Sequence, residues 1–188
     1  RNPIIAASSR LTGNIESLVE FERAGAGAVV LKSLFEEQIS ADVGSMIGTL
    51  DPNLHSEAAD FFSQSGKNYY MNDYLRLVRD AKTRLSIPVI PSVNCVSDGT
   101  WLEYARDFQD AGADALELNV FILPADRKLD PRKIEEQYLG ICRKVKERVS
   151  IPFALKIGPH FTGLAGMIHA MASEGAKGLV LFNRFYRP

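Results

Sequence analysis

The stretch AGADALELN, residues 111–119, contains a pattern that recurs along the chain: a helix end closed by Gly-Ala, a short apolar run and a final polar residue. AGAGAVVLK at residues 24–32 and EGAKGLVLFN at residues 174–183 repeat it. The glycine is typical of a helix C-cap that needs positive φ. The apolar run is typical of a strand buried on both faces. The pattern therefore predicts helices that alternate with parallel strands.

A second pattern, SIPVIPSVN at residues 86–94 and SIPFALKIG at residues 150–158, places Ile-Pro at the start of a strand, where the missing N–H of proline is tolerated. The spacing of the two patterns agrees, since Pro88 and Pro152 lie 64 residues apart and Gly112 and Gly175 lie 63 apart. Each copy therefore holds two strand–helix units. The predicted strands are 2–7, 28–32, 89–94, 115–119, 153–157 and 178–183, and the predicted helices are 14–24, 73–85, 99–111, 131–149 and 162–174.

Alternating units of this kind indicate an α/β fold with a parallel sheet. The two-unit period favours a (β/α)8 TIM barrel over an open doubly wound sheet, and no G-x-G-x-x-G motif follows the first strand. Such a barrel takes about 250 residues. We therefore expect residues 1–188 to form one barrel domain with about six of its eight strand–helix units, lacking the last two strands at the C-terminal end. The long excursion 35–72 is expected at the catalytic face, as a lid, a partner surface or a loop packed over its own aromatic residues.

Composition excludes several classes of protein. The 188 residues carry 22 Lys and Arg against 23 Asp and Glu, a net charge of −1. The chain therefore lacks the excess of basic residues that is typical of nucleic-acid-binding proteins. No apolar run reaches the roughly 18 residues of a membrane span. Cys95 and Cys142 have no paired spacing, which favours a reducing cytoplasm and predicts no metal site.

The last polar residue in or directly after every predicted strand can donate hydrogen bonds. These residues are Ser8, Lys32, Asn94, Asn119, Lys156 and Asn183. Barrel active sites lie where the carboxyl ends of the strands converge. The set therefore predicts a mouth that binds a small, electron-rich and planar substrate.

Lys156 lies within the apolar run FALKIGP and is expected to point inward. It could stabilise a developing anion, or form a Schiff base with a carbonyl substrate. The structural alternative is an ion pair with Glu117, which alternates with Asn119 on the neighbouring strand.

Several stretches together resemble the dihydroorotate dehydrogenase family of FMN-dependent barrels, and more narrowly its divergent dihydroorotate-dehydrogenase-like branch. They are NPIIAASS, GAVVLKSLFEEQI, IPVIPSVN, GADALELNVFILPAD, IPFALKIGPHF and GLVLFNRFYRP, and they cover nearly the whole chain. The resemblance implies FMN as cofactor, oxidation of a CH–CH bond such as that of dihydroorotate, and a role in pyrimidine biosynthesis. It also implies a cytoplasmic protein that forms a homodimer, as family members often do.

The resemblance also implies roles for single residues. Ala7 and Ser8 match the pair that lies against the flavin, and Lys32 and Ser33 match a pair near flavin and substrate. Asn94 and Asn119 match polar groups near the flavin ring, and Lys156 matches the lysine at its pyrimidine edge. Asn183, with Asn119, matches the substrate-binding asparagines. Lys156 and Lys32 are the expected catalytic residues.

One position departs from the family. The family's catalytic base is a Cys or Ser in the loop after the fourth strand, and the matching residue here is Ile122, which cannot take a proton. Oxidation of dihydroorotate by the family mechanism is therefore expected to be slow or absent. Replacement bases after strand ends would be Cys95, His160 or Tyr186. The alternatives are a Schiff-base lyase or aldolase that uses Lys156, and a flavin-binding barrel that has lost catalysis.

Overall fold

The computed structural model describes residues 2–35, 56–94, 100–122 and 128–183. They form strands β1 (Ile5–Ala6), β2 (Ala28–Val30), β3 (Leu34–Phe35), β4 (Val89–Ile90), β5 (Ser92–Asn94), β6 (Leu116–Asn119), β7 (Phe153–Ile157) and β8 (Gly178–Leu181). The helices are α1 (Ile15–Arg23), α2 (Ser56–Arg84), α3 (Thr100–Asp110), α4 (Pro131–Arg148) and α5 (Leu164–Ser173), and a 3-10 turn covers Arg10–Gly13.

All strand pairs are parallel. The order is β1, β2, β4 in one ladder and β3, β5, β6, β7, β8 in the other. Because β2 continues into β3 and β4 into β5, the eight segments are six barrel strands joined by five helices. The fold is a partial (β/α)8 barrel, as the sequence predicts.

The two ladders separate at a one-residue irregularity. Val30 pairs with Ile90, whereas Leu34 pairs with Val93, so three residues of one strand lie opposite two of the other. A bulge of this kind bends a strand and redirects its side chains. The residues that it redirects include Lys32 and Ser33.

Alternation along β7 separates the two faces of the barrel wall. Phe153, Leu155 and Ile157 are buried in the same apolar core as helix residues such as Val145 and Met171. Ala154 and Lys156 lie on the opposite, inner face and are half-buried. The inner face therefore carries the polar side chains.

Local predictions agree closely with the observed elements. Gly25, Gly112 and Gly175 follow helices with φ of 94°, 96° and 124°, which confirms the predicted C-caps. Asp130 caps α4 by accepting from the Arg132 N–H at 3.0 Å. α2 differs, because it begins at Ser56 and not at residue 73.

The excursion 35–72 is therefore partly helical. Its part from Ser56 onward belongs to α2, and Leu34–Phe35 extends the second barrel strand. Residues 36–55 lie outside the described residues, so the lid and partner-surface hypotheses stay predictions. Tyr69 is 70% exposed and meets Tyr70 edge-on at 6.0 Å between ring centroids.

In the part of the chain that the structure describes, no helix is long and apolar enough to cross a membrane.

Candidate functional site

Three of the predicted site residues are direct neighbours on the inner face of the barrel. Asn94 of β5 pairs in register with Asn119 of β6, and Asn119 pairs with Lys156 of β7. Register partners in a parallel sheet share a face, so the three side chains form one row at the carboxyl ends of their strands. We call Asn94, Asn119 and Lys156 the amide–lysine row. All of its members carry N–H donors, and none carries a negative charge.

Lys156 is half-buried and has no carboxylate within ion-pair distance among the described residues. The interpretation that pairs it with Glu117 is wrong, because the Glu117 carboxylate accepts a hydrogen bond from Ser92 instead. The register explains this: Glu117 lies opposite Ala154, one row below Lys156. The ammonium group is therefore available to an anionic or carbonyl-bearing ligand.

Asn183 is joined to this row across β7. Its Nδ2 donates to Asn119 Oδ1 at 2.9 Å, and its backbone N–H donates to the Ile157 carbonyl at 2.8 Å. Asn119 Oδ1 is used here, and no acceptor for its amide N–H groups is found in the part of the chain that the structure describes. Asn183 thus orients Asn119 in this structure, and its predicted contact with substrate stays a prediction.

Ser8 and Ser33 also come together, as neighbours on the first two barrel strands. Their hydroxyl oxygens lie 3.0 Å apart, and the Ser33 backbone N–H donates to Ser8 Oγ at 2.9 Å. Ala7, which precedes Ser8, is exposed. The predicted flavin contacts of these three residues stay predictions.

The position of Lys32 differs from the sequence expectation that both lysines share one small circle. Its side chain is exposed, and its stem lies against Gly13, where an added Cβ would meet Lys32 Cδ at 3.2 Å. Lys32 lines a groove of about 380 Å³ with Ser33 and with residues of α2 such as Tyr70 and Asp73. Lys156 is not among the residues that line this groove. The bulge between β2 and β3 accounts for the separation, because it changes which way Lys32 points.

Below the amide–lysine row lies a second polar row that sequence reasoning found only in part. Ser33, Ser92 and Glu117 are 8%, 0% and 3% exposed. Ser92 Oγ lies 2.7 Å from Ser33 Oγ and donates to Glu117 Oε1 at 2.7 Å. Ser92 was missed, although its position two residues before Asn94 places it on the inner face by strand alternation. Burial raises the pKa of Tyr74, whose hydroxyl accepts from the Ser92 N–H and donates to the Ser92 carbonyl.

The loop after β6 closes against the helix layer. Tyr138 of α4 accepts from the Ile122 N–H at 3.2 Å and donates to the Val120 carbonyl at 3.3 Å. The Ile122 side chain packs against the apolar core, and the Tyr138 ring meets Phe161 edge-on at 5.0 Å. Ile122 thus places a packed apolar side chain in this loop, and such a side chain takes no part in proton transfer.

Within the described residues, the other candidate nucleophiles and bases have no observed contact that supports a catalytic role. His160 is exposed, with its ring centroid 6.3 Å from that of Phe121. Cys95 and Tyr186 lie outside the described residues. Cys142 is fully buried, and burial raises the pKa of its thiol to about 12, so it is not a nucleophile. Within residues 2–35, 56–94, 100–122 and 128–183, no group of three His, Cys, Asp or Glu side chains could hold a metal ion.

Comparison with curated proteins reveals distant relatives that match over nearly the whole chain. The dihydroorotate dehydrogenase B (NAD(+)) catalytic subunits of Methanosarcina acetivorans, Thermoplasma acidophilum and Methanocaldococcus jannaschii are 28%, 27% and 25% identical, each over 97% of this chain. The chain spans only 58–59% of the length of these relatives. No family model matches the chain. The matches support a relationship to dihydroorotate dehydrogenases.

Solved structures that superpose on this chain include enzymes other than dihydroorotate dehydrogenases. Dihydrodipicolinate synthase from Agrobacterium tumefaciens superposes with a TM-score of 0.55 at 13% identity, over 94% of this chain and 53% of that one. A phosphonopyruvate hydrolase superposes with a TM-score of 0.54 at 15% identity, over 94% of this chain and 56% of that one. At these identities the likeness concerns the barrel fold alone.

Proposed function

We propose that this protein is an FMN-dependent oxidoreductase that acts on a CH–CH bond of a small planar substrate, as dihydroorotate dehydrogenases do. The observation that carries the proposal is the amide–lysine row. It combines two amides on neighbouring strands with an ammonium group to which the described residues offer no ion-pair partner. The distant similarity to dihydroorotate dehydrogenases along 97% of the chain supports the same reaction class.

The chemistry of the donor set fits the ring of a flavin. That ring has carbonyl oxygens and nitrogens along its pyrimidine edge, and it needs donors without a nearby negative charge. Asn94, Asn119 and Lys156 would hold this edge by donating N–H groups to it. The described residues thus account for contacts to the ring, and we assign none of them to the phosphate. When bound, FMN would supply a two-electron acceptor.

The chain's own residues then bind, orient and polarise. Lys156 would hold the pyrimidine edge of the ring, because a preorganised cation stabilises developing negative charge. Asn183 fixes the Asn119 amide, so that its N–H groups face the ligand before binding. Ile122 keeps the loop after β6 apolar, so the proton that a substrate loses must leave by another route.

Titration of the protein with FMN, followed by quenching of FMN fluorescence, tests the proposal. We expect tight binding by the wild type and binding about 10- to 100-fold weaker by Lys156→Ala, because a hydrogen bond to a charged group contributes about 1.5–3 kcal/mol. The matched control is Lys177→Ala. Lys177 is an exposed lysine just before β8, so it lies at the amino ends of the strands, whereas Lys156 lies near the carboxyl end of β7.

Two results would contradict the proposal: no binding of FMN by the wild type, or equal affinities for wild type and Lys156→Ala. Because no carboxylate among the described residues pairs with Lys156, a second candidate is a lyase that forms a Schiff base through this residue. Borohydride treatment in the presence of pyruvate as probe separates the two, because it would trap a covalent adduct on Lys156 only in the lyase.

A further inference from the structure

The second polar row continues into an unbroken chain of hydroxyl groups. Ser8 Oγ lies 3.0 Å from Ser33 Oγ, Ser33 Oγ lies 2.7 Å from Ser92 Oγ, and Ser92 Oγ lies 2.7 Å from Glu117 Oε1. Ser8 follows β1 at the mouth of the barrel and is half-buried, whereas Ser92 and Glu117 are buried. We call Ser8, Ser33, Ser92 and Glu117 the serine relay. It runs from the mouth to a buried carboxylate.

The direction of every hydrogen bond in the serine relay follows from its last member. An ionised carboxylate only accepts, so Ser92 donates its single hydroxyl proton to Glu117. Ser92 Oγ must then accept from Ser33, and Ser33 Oγ must accept from Ser8. Ser8 Oγ in turn accepts the Ser33 backbone N–H. All hydroxyl protons therefore point from the mouth toward Glu117.

The relay ends at Glu117. The residues that continue its row on the next two strands are Ala154 and Gly178, which have no polar side-chain atoms. Two titratable residues lie on the segments around it: Lys156, one row above on β7, and Tyr74, whose hydroxyl contacts the Ser92 backbone. Neither donates to the carboxylate, and Ser92 is its one donor among the described residues. Burying a carboxylate with one neutral donor costs free energy, which a merely structural network of serines would avoid.

We propose that Glu117 is the proton acceptor of this site and that Ser92, Ser33 and Ser8 conduct the proton to it. A ligand at the mouth gives its proton to Ser8 Oγ. In the same movement the Ser8 proton passes to Ser33, the Ser33 proton to Ser92 and the Ser92 proton to Glu117. One bond from the proton to the ligand breaks and one O–H bond on Glu117 forms, while the ligand keeps the electron pair.

This relay supplies the route that the packed Ile122 does not. Its part in oxidation of a substrate rests on the proposed function, whereas the movement of protons to Glu117 does not. The two are tested separately.

The first test needs no flavin. The full protein is labelled with 13C at the glutamate carboxyl carbons, and Glu117→Gln identifies the Glu117 resonance. In the wild type we expect one averaged resonance that moves with pH, because the relay exchanges the proton rapidly. In Ser33→Ala the relay is cut, and we expect separate resonances for the two protonation forms. Ser33→Thr keeps a hydroxyl and should restore averaging, and Ser173→Ala, a surface serine bonded to the His169 carbonyl, should not differ from wild type.

The second test uses dihydroorotate as the probe and follows bleaching of bound FMN. A lost general base lowers such rates by about 100- to 10,000-fold. We expect a loss of this size in Glu117→Gln, which keeps the acceptor for Ser92 but cannot take a proton, and in Ser92→Ala. FMN affinity should stay at the wild-type value in both.

A Glu117 resonance that does not move with pH, or that averages equally in Ser33→Ala and wild type, would overturn the relay. Bleaching at the wild-type rate in Glu117→Gln would overturn its catalytic part. A protein that binds no FMN but shows the expected NMR behaviour would keep the relay and refute the proposed function.

Discussion

The two ends of the barrel use polar side chains in opposite ways. At the amino ends of the strands, Glu22 Oε1 accepts from the Ser86 N–H, the Ser86 hydroxyl and the Ile87 N–H at 2.8, 2.7 and 3.2 Å. Gln109 Oε1 accepts from the same three groups of Ser150 and Ile151 at 2.7, 3.2 and 3.3 Å. At the carboxyl ends, the amide–lysine row has donors that the described residues leave without acceptors. One end is satisfied internally, and the other is prepared for a ligand.

We call these two groups of hydrogen bonds, one centred on Glu22 and the other on Gln109, the clasps. Their positions in the sequence follow one rule. Glu22 and Gln109 each lie three residues before the C-capping glycine of their helix, Gly25 and Gly112. Each holds a Ser-Ile-Pro segment at the start of a later strand. The same backbone task is thus performed by a charged acceptor in one copy and a neutral acceptor in the other. This end serves stability, which agrees with the general division of labour in (β/α)8 barrels.

Removal of a clasp should have the largest effect on stability. We expect Gln109→Ala to lower the free energy of unfolding by about 1–3 kcal/mol. Three donors lose their acceptor, and each hydrogen bond contributes about 0.5–1.5 kcal/mol, of which water recovers a part at this exposed site. Urea denaturation measures this change. FMN affinity should be unaltered, and a marked loss of affinity would show that the two ends are not independent.

At the carboxyl ends of the strands, one substitution should lower both the stability of the protein and its affinity for FMN, with a smaller loss of stability than at the clasps. We expect Asn183→Ala to lower the free energy of unfolding by about 0.5–1.5 kcal/mol, since its hydrogen bond to Asn119 is lost. FMN affinity should fall several-fold because Asn119 loses its orientation. The double variant Asn119→Ala with Asn183→Ala should bind no more weakly than Asn119→Ala alone, and additive losses would instead indicate a direct contact of Asn183 with the ligand.

Sequence reasoning succeeded where the determinants are local. The C-caps at Gly25, Gly112 and Gly175 depend on a few consecutive residues, and β7 has the predicted limits of 153–157 because Pro152 and Gly158 flank an apolar run. The amide–lysine row was within reach for the same reason, since each member is the last polar residue of its own strand.

Non-local determinants escaped the sequence. Glu22 and Gln109 lie 64 and 41 residues from the serines that they hold, so neither clasp has a signature in one segment. The bulge that turns Lys32 away exists only once two strands are paired. The serine relay joins four strands, and its buried hydroxyls read as ordinary small residues in the sequence. The early start of α2 at Ser56 likewise lacks a clear apolar period in residues 56–72.

The smallest expected effect distinguishes the two clasps by pH. Hydrogen bonds from the Ser86 hydroxyl and backbone hold the pKa of Glu22 below its ordinary value of 4.5. Because the folded pKa is the lower one, this stabilisation is complete above the unfolded pKa and is lost as pH falls through the folded pKa. Gln109 does not titrate, so its clasp persists in acid.

We therefore expect the free energy of unfolding to fall less on acidification in Glu22→Gln than in the wild type. The difference should be less than about 1 kcal/mol, because the site is close to solvent. Urea denaturation at neutral pH and at about pH 3, below the unfolded value, measures the difference between the two proteins. Gln109→Glu is the reciprocal variant and should add a second acid-sensitive clasp. If Glu22→Gln and wild type lose equal stability in acid, the charge on Glu22 contributes nothing, and the two clasps are equivalent in mechanism as well as in position.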